Sequence, residues 1–130
     1  MSADLKKILY ADDDEASREL IRLALQSLGG FLVQTCDSGD QVLGAAQDFH
    51  PHLVILDVMM PKMDGPSALQ VLRASPGFAE IPVVFMTAKA MPQELNRLNN
   101  LGALGVITKP YDPLNICNLL IEFWQGRHER

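Results

Sequence analysis

The chain has 130 residues, 48% hydrophobic and 21% charged, an ordinary balance for one globular domain with a sizeable core. A net charge of −5 and a sequence pI of about 5.0 argue against a general nucleic-acid-binding face, which needs clustered Lys and Arg. The polar N-terminus does not read as a signal peptide and no apolar stretch approaches the ~20 residues of a membrane helix, so a cytoplasmic protein is expected.

In chain order, the first apolar run, Ile8-Leu9-Tyr10-Ala11, predicts a strand that ends on Asp12-Asp13-Asp14. A helix follows over about Ala16 to Leu28, with Leu20, Ile21, Ala24, Leu25 and Leu28 on one face and Gly29-Gly30 as its stop. The second run, Phe31-Leu32-Val33, ends in Thr35-Cys36, and a second helix starts near Asp40 and ends before Pro51. The third run, Leu53-Val54-Ile55-Leu56, ends at Asp57 and enters a loop, after which Pro66 opens a helix. The fourth, Ile81 to Met86, places Pro82 where a ladder donor is least needed and ends at Thr87; Pro92 opens the next helix. The last run, Val106-Ile107, leads to Lys109-Pro110, and Asp112 as N-cap with Pro113 at the first position marks the final helix. Cys36 and Cys117, far apart and flanked by apolar residues, are expected to be buried free thiols.

Five β-rich runs alternating with helical patterns predict a (βα)5 chain of the α/β class. Its parallel sheet is covered on both faces and its crossovers are right-handed. In such open sheets ligands bind beyond the carboxyl ends of the strands, where strand order reverses. Asp12, Asp13, Asp57, Thr87 and Lys109 all fall at those ends. Helix N-capping accounts for Asp14 or Asp40 as well as any chemical role does. It does not account for Asp57, which precedes a loop, nor for a hydroxyl and an ammonium on the same edge. Clustered carboxylates repel one another, which raises their pKa values or demands a cation, and oxygen-only ligands favour a hard ion such as Mg²⁺. Such an ion would screen an approaching phosphoryl group, with Lys109 pairing its oxygens and Thr87 donating a hydrogen bond. The set suits a carboxylate nucleophile that forms an acyl phosphate.

The order Asp12-Asp13, then Leu56-Asp57-Val58-Met59-Met60-Pro61-Lys62-Met63-Asp64-Gly65, then Met86-Thr87-Ala88, then Thr108-Lys109-Pro110 resembles the receiver domains of two-component response regulators, the CheY-like superfamily. The resemblance covers about residues 5 to 125. It implies one receiver domain over residues 1–130, built as a doubly wound, flavodoxin-like three-layer sandwich with a five-stranded parallel sheet of order 2-1-3-4-5. It implies that Asp57 accepts a phosphoryl group from a sensor histidine kinase or a histidine phosphotransfer protein. Asp13, Asp57 and the backbone carbonyl of Met59 are implied as direct Mg²⁺ ligands, with Asp12 helping mainly through water. The Lys109–Pro110 peptide bond is expected to be cis, and small Ala88 leaves the phosphoryl path open. Phosphorylation is implied to switch contacts with a downstream protein target or effector domain, without direct contact to nucleic acid or membrane. No enzyme activity is expected beyond the domain's own phosphorylation and slow dephosphorylation.

The sequence departs from the family pattern in places. Many receivers carry Tyr or Phe where Val106 stands, and a branched aliphatic side chain cannot repeat an aromatic switch. Tyr111 reads chiefly as a packing residue at the base of the last helix. Met59 and Lys89, two residues after Asp57 and Thr87, border the phosphoryl group in the family, and their bulk predicts slow self-dephosphorylation. On the last helix Leu114, Cys117, Leu120, Ile121 and Trp124 form one apolar stripe, and Ile116, Leu119 and Phe123 a second. Only Asn115, Asn118 and Glu122 form a polar arc, so the helix is either wedged between neighbours or offers a partner or homodimer face. Arg127, His128 and Arg130 read as a solvated tail.

Other functions fit less well. Asp12-Asp13-Asp14 contains the Asp-x-Asp of haloacid dehalogenase-like phosphohydrolases, but that reading leaves Asp57 unexplained and the chain has no room for the usual cap. A flavodoxin-like electron carrier needs a phosphate loop where Asp12 to Glu15 would repel phosphate. A degenerate receiver acting as a constitutive binding module is kept in view by Val106.

Overall fold

The computed structural model describes residues 4–127. The strands are β1 (Lys7–Ala11), β2 (Leu32–Cys36), β3 (Leu53–Asp57), β4 (Val83–Thr87) and β5 (Gly105–Thr108). The helices are α1 (Glu15–Gly29), α2 (Val42–Phe49), α3 (Gly65–Arg73), α4 (Pro92–Asn100) and α5 (Ile116–Gly126), with a 3-10 turn at Gly39–Gln41. All five strands pair in parallel in the order β2-β1-β3-β4-β5, which is the doubly wound topology expected. Strand order reverses between β1 and β3, and the ladder there sets Ala11 beside Leu56.

Alternation along the strands splits the core into two layers. Leu9 and Ala11 of β1, Val54 and Leu56 of β3, and Val83 and Phe85 of β4 face α2, α3 and α4. Ile8 and Tyr10, Leu53 and Ile55, and Val84 and Met86 face α1 and α5. Every residue of β3 and β4 is buried, which is why these runs are apolar without a break. Burying one such Ile or Leu side chain stabilises the fold by roughly 1.5–3 kcal/mol.

Several boundaries differ from the sequence reading. Strand β2 begins at Leu32 rather than Phe31, and as an edge strand it leaves Leu32 62% exposed while Phe31 is buried. Strand β4 begins at Val83; Pro82 just precedes it and accepts Val54 N–H at 3.0 Å through its carbonyl. Helix α1 runs on through Gly29 to a cap at Gly30 with φ 68, and Leu20 and Leu28 stay exposed although they flank the buried Ile21, Ala24 and Leu25. Helix α5 begins at Ile116, not at Pro113 behind an Asp112 cap. The Asp112 carbonyl accepts Asn115 N–H at 2.9 Å and its carboxylate accepts Leu114 N–H at 3.0 Å. These bonds close a turn, and the helix starts only beyond it.

The two apolar stripes of α5 are mostly packed. Ile116, Cys117 and Leu120 are buried, and Leu119, Phe123 and Trp124 lie half-buried against the α1/α5 layer. Leu114 and Ile121 remain exposed. Wedging therefore accounts for most of the stripe pattern. Cys36 and Cys117 are buried free thiols as expected, and burial pushes the Cys36 thiol up to about 12. Of the C-terminal basic cluster, His128 and Arg130 lie outside the described residues, while Arg127 stacks on the Trp124 ring at 3.6 Å.

Candidate functional site

Backbone register brings the predicted residues together. Ala11 sits beside Leu56, Asp57 beside Met86, and Thr87 beside Thr108, so Asp12, Asp57, Thr87 and Lys109 arrive at one rim of the sheet. Ladder-like bonds continue past the strand ends. Asp12 N–H donates to Cys36 O at 3.1 Å, Val58 N–H to Met86 O at 2.9 Å and Lys109 N–H to Thr87 O at 2.7 Å. The reactive side chains thus hang from anchored backbone rather than from free loops.

The carboxylate oxygens of Asp12, Asp13 and Asp57 lie within 4.8 Å of one another. Asp12 and Asp57 are buried and Asp13 is exposed, which leaves the cluster open on one side. Lys109 Nζ stands 3.0 Å from Asp57 Oδ2 and 3.6 Å from Asp12 Oδ2. Burial lifts the Asp57 carboxyl to about 6 and the charge of Asp12 adds to this, while the hydrogen bond and charge of Lys109 pull the other way. The lysine has the opposite balance. Burial works against its charge, yet hydrogen bonding to Asp57 and the charges of Asp57 and Asp12 hold it above the usual lysine range. One cation between two buried carboxylates leaves the rim short of positive charge, and an all-oxygen cluster of this kind fits a hard divalent ion.

Thr87 is buried, and its Oγ1 accepts Lys89 N–H at 3.0 Å. Because that bond uses an oxygen lone pair, the hydroxyl hydrogen stays available to an incoming oxygen. Met59 lies in the loop after β3 with its side chain 66% exposed. Lys89 and Ala88 are exposed at the end of β4. Val106 packs half-buried against the α2/α3/α4 layer, and Tyr111 half-buried against the α1/α5 layer. The Lys109–Pro110 bond is cis. Asp14 serves as N-cap of α1, accepting Ser17 N–H at 2.8 Å, and Asp40 accepts the Ser38 hydroxyl within the 3-10 turn.

Three contributors to the site escaped the sequence reading, Tyr10, Arg18 and Gly39, and a fourth, Gly65, stood there only as the last residue of the motif around Asp57. Tyr10 lies fully buried in β1 and its hydroxyl donates to Asp12 Oδ2. Burial, then the bond and charge of Asp12, drive that phenol far above its usual range, so it remains a donor at any working pH. Arg18 Nη1 reaches back from α1 to Asp12 O at 2.9 Å. Gly65 lets its N–H donate to Val58 O at 3.0 Å; a Cβ there would lie 2.4 Å from Asp57 O. Gly39 lets the 3-10 turn press on the β3–α3 loop, where a Cβ would lie 1.9 Å from Met63 O. Only the glycines left a trace in the sequence, as breaks between patterns; a tyrosine inside an apolar strand looks like any core residue.

Residues 8–121 match the family model described as the response regulator receiver domain. The chain belongs to that family. Receiver domains are the phosphoryl-accepting modules of two-component signalling, and the strand ends of this one carry the groups that such chemistry uses. Among curated relatives, the chain is 37% identical over 113 residues to a probable transcriptional regulator, ycf27, of Cyanophora paradoxa, covering 87% of this chain and 46% of that protein. It is 35% identical over 106 residues to the response regulator Rre1 of Synechocystis sp., covering 82% of this chain and again 46% of the relative. The chain therefore spans about half the length of these relatives. Among solved structures, the chemotaxis response regulator CheY4 of Vibrio cholerae superposes with a TM-score of 0.84 at 27% identity, covering 92% of this receiver and 99% of that chain. No helix among the described residues is long and apolar enough to cross a membrane.

Proposed function

We propose that Asp57 is the phosphoryl acceptor of this receiver, taking the group from a phosphohistidine on a sensor histidine kinase or a histidine phosphotransfer protein. An Asp57 carboxylate oxygen attacks phosphorus, the P–N bond breaks, and the imidazole leaves with a proton from solvent. The observation that carries this reading is the convergence of Lys109 Nζ, 3.0 Å from Asp57 Oδ2, with Thr87 and two further carboxylates on one rim. Lys109 exchanges its carboxylate partner for a phosphoryl oxygen, and the Thr87 hydroxyl donates to another. Asp13, Asp57 and the Met59 carbonyl would hold Mg²⁺, with Asp12 helping mainly through water. When bound, the ion screens the charge of the acidic rim and of the incoming phosphoryl group.

Turnover is limited to this self-modification and its slow reversal, so the domain is a switch rather than an enzyme acting on a separate substrate. It works in the cytoplasm, and its state is read by a downstream protein target or effector domain rather than by nucleic acid or membrane. Leu114 and Ile121 are the exposed apolar residues that a homodimer through α5 would use. Incubation with labelled acetyl phosphate and Mg²⁺ tests the reading. Asp57→Asn should abolish stable uptake, and Lys109→Ala should slow it by roughly 10²-fold, the scale of losing one electrostatic stabiliser. Full uptake by Asp57→Asn would overturn the assignment.

A further inference from the structure

Strand β1 carries a tyrosine where packing alone asks only for an apolar side chain. Tyr10 is fully buried in the α1/α5 layer, between Ile8 and the acidic rim. A phenol hydroxyl buried without a partner is costly, so it must find an acceptor. Here its partner is Asp12 Oδ2, two residues on along the same strand edge. The other Asp12 oxygen, Oδ1, accepts Asp14 N–H at 2.9 Å, and Arg18 Nη1 holds the Asp12 carbonyl at 2.9 Å. Asp12 is therefore gripped at both carboxylate oxygens and at its backbone.

We propose that Tyr10 is a positioning residue for the acidic rim, fixing the Asp12 carboxylate from beneath so that the rim is already shaped for a divalent cation. The proposal rests on the reading of the rim as a cation site. Lys109 is shared between the two buried carboxylates. The ammonium lies 3.0 Å from Asp57 Oδ2 and 3.6 Å from Asp12 Oδ2. Once Lys109 turns to another anion, Asp12 Oδ2 keeps a hydrogen bond only because the Tyr10 hydroxyl is there. Without it, a fully buried carboxylate oxygen would be left to find a new partner, and Asp12 would rotate. Groups that orient a metal's direct ligands typically change affinity by about 10–100-fold when removed, and because Asp12 would act on the ion mainly through water the lower end of that range is expected.

Calorimetric titration of the full chain with Mg²⁺ tests this in four proteins: wild type, Tyr10→Phe, Ile55→Val and Asp13→Asn. Tyr10→Phe keeps the ring and deletes only the hydroxyl, so packing is preserved. It should weaken Mg²⁺ binding by about tenfold and remove a slowly exchanging downfield hydroxyl proton from the NMR spectrum. With acetyl phosphate as donor, the Mg²⁺ concentration for half-maximal uptake should rise while the plateau rate stays near that of wild type. Ile55→Val trims the same apolar layer without touching Asp12, and should lower thermal stability while leaving Mg²⁺ affinity unchanged. Unchanged affinity in Tyr10→Phe, or an equal loss in Ile55→Val, overturns the proposal while the cation reading stands if Asp13→Asn still weakens binding. If wild type binds no Mg²⁺, or Asp13→Asn binds it equally well, the cation reading falls and takes the proposal with it.

Discussion

At the scale of single residues, Asp57 is held ionised against its surroundings. Its carboxyl titrates at about 6 in the fold against 3.8 ordinarily, chiefly through burial and then through Asp12. The folded state therefore binds the extra proton between those values. Stability from this group is fully present below about pH 4 and is lost as pH rises through 6. Asp57→Asn should thus be more stable than wild type at pH 8 in the absence of metal, on the order of 1 kcal/mol, with the gain vanishing near pH 4. Thermal melts in chelator across that range check both the sign and the window. Two neighbours bear on a different property. Met59 and Lys89, two residues beyond Asp57 and Thr87, are both exposed, and their bulk is proposed to obstruct a hydrolytic water. Met59→Asn combined with Lys89→Glu is expected to shorten the life of the acyl phosphate several-fold, read as faster loss of label from the protein. An unchanged decay rate would remove both side chains from the account.

At the scale of elements, the chemistry depends on loops that are clamped rather than free. The β3–α3 loop is fastened by Gly65 N–H to Val58 O, by the Asp64 cap on Ser67 N–H at 2.8 Å, and by the close approach of Gly39 to Met63. Gly39→Ala would put a methyl group into a backbone carbonyl that cannot step aside cheaply. A loss of about 1–3 kcal/mol is expected in chemical denaturation, together with slower phosphoryl uptake, because displacing Met63 strains the loop that carries Met59. Much of this level was legible beforehand. Asp57, Thr87 and Lys109 each close an apolar run, and parallel strands deliver such residues to one rim whatever the side chains between them. What could not be read were features set by tertiary contact. Asp112-Pro113 has the chemistry of a helix start, but its side chain and carbonyl are used in a turn, so α5 waits until Ile116. The exposure of Leu32 depends on β2 lying at the sheet edge, which follows from strand order and not from local pattern. Tyr10 was invisible because an apolar strand hides one hydroxyl as easily as it hides a methyl group.

At the scale of the whole molecule, the two ends of the sheet respond to pH in opposite senses. At the end opposite the acidic rim, His52 Nδ1 accepts Lys6 N–H at 3.1 Å and Lys7 N–H at 3.2 Å, so that nitrogen must be unprotonated. Burial, then the charges of Lys7 and Lys6, lower its pKa from 6.5. The unfolded chain then takes up the proton first, and this contribution is present above pH 6.5 and lost as pH falls below it. Asp57 acts with the reverse slope in an overlapping window. Relative to wild type, His52→Gln should make stability rise less steeply with pH between 4 and 7, and Asp57→Asn should make it rise more steeply. Denaturation midpoints at four or five pH values separate the two; parallel curves for all three proteins would contradict the opposition.

The concentration of reactive groups on one rim of the inner strands has a further consequence, in how such a domain can diversify. Among the described residues, the outward faces of α1, α4 and α5 contribute little to that rim: Arg18 reaches it from α1, and does so by gripping backbone. Surface substitutions that change which protein is recognised can therefore accumulate while the acceptor machinery stays intact. A duplicated copy would inherit working chemistry from its first generation and need only acquire a new address.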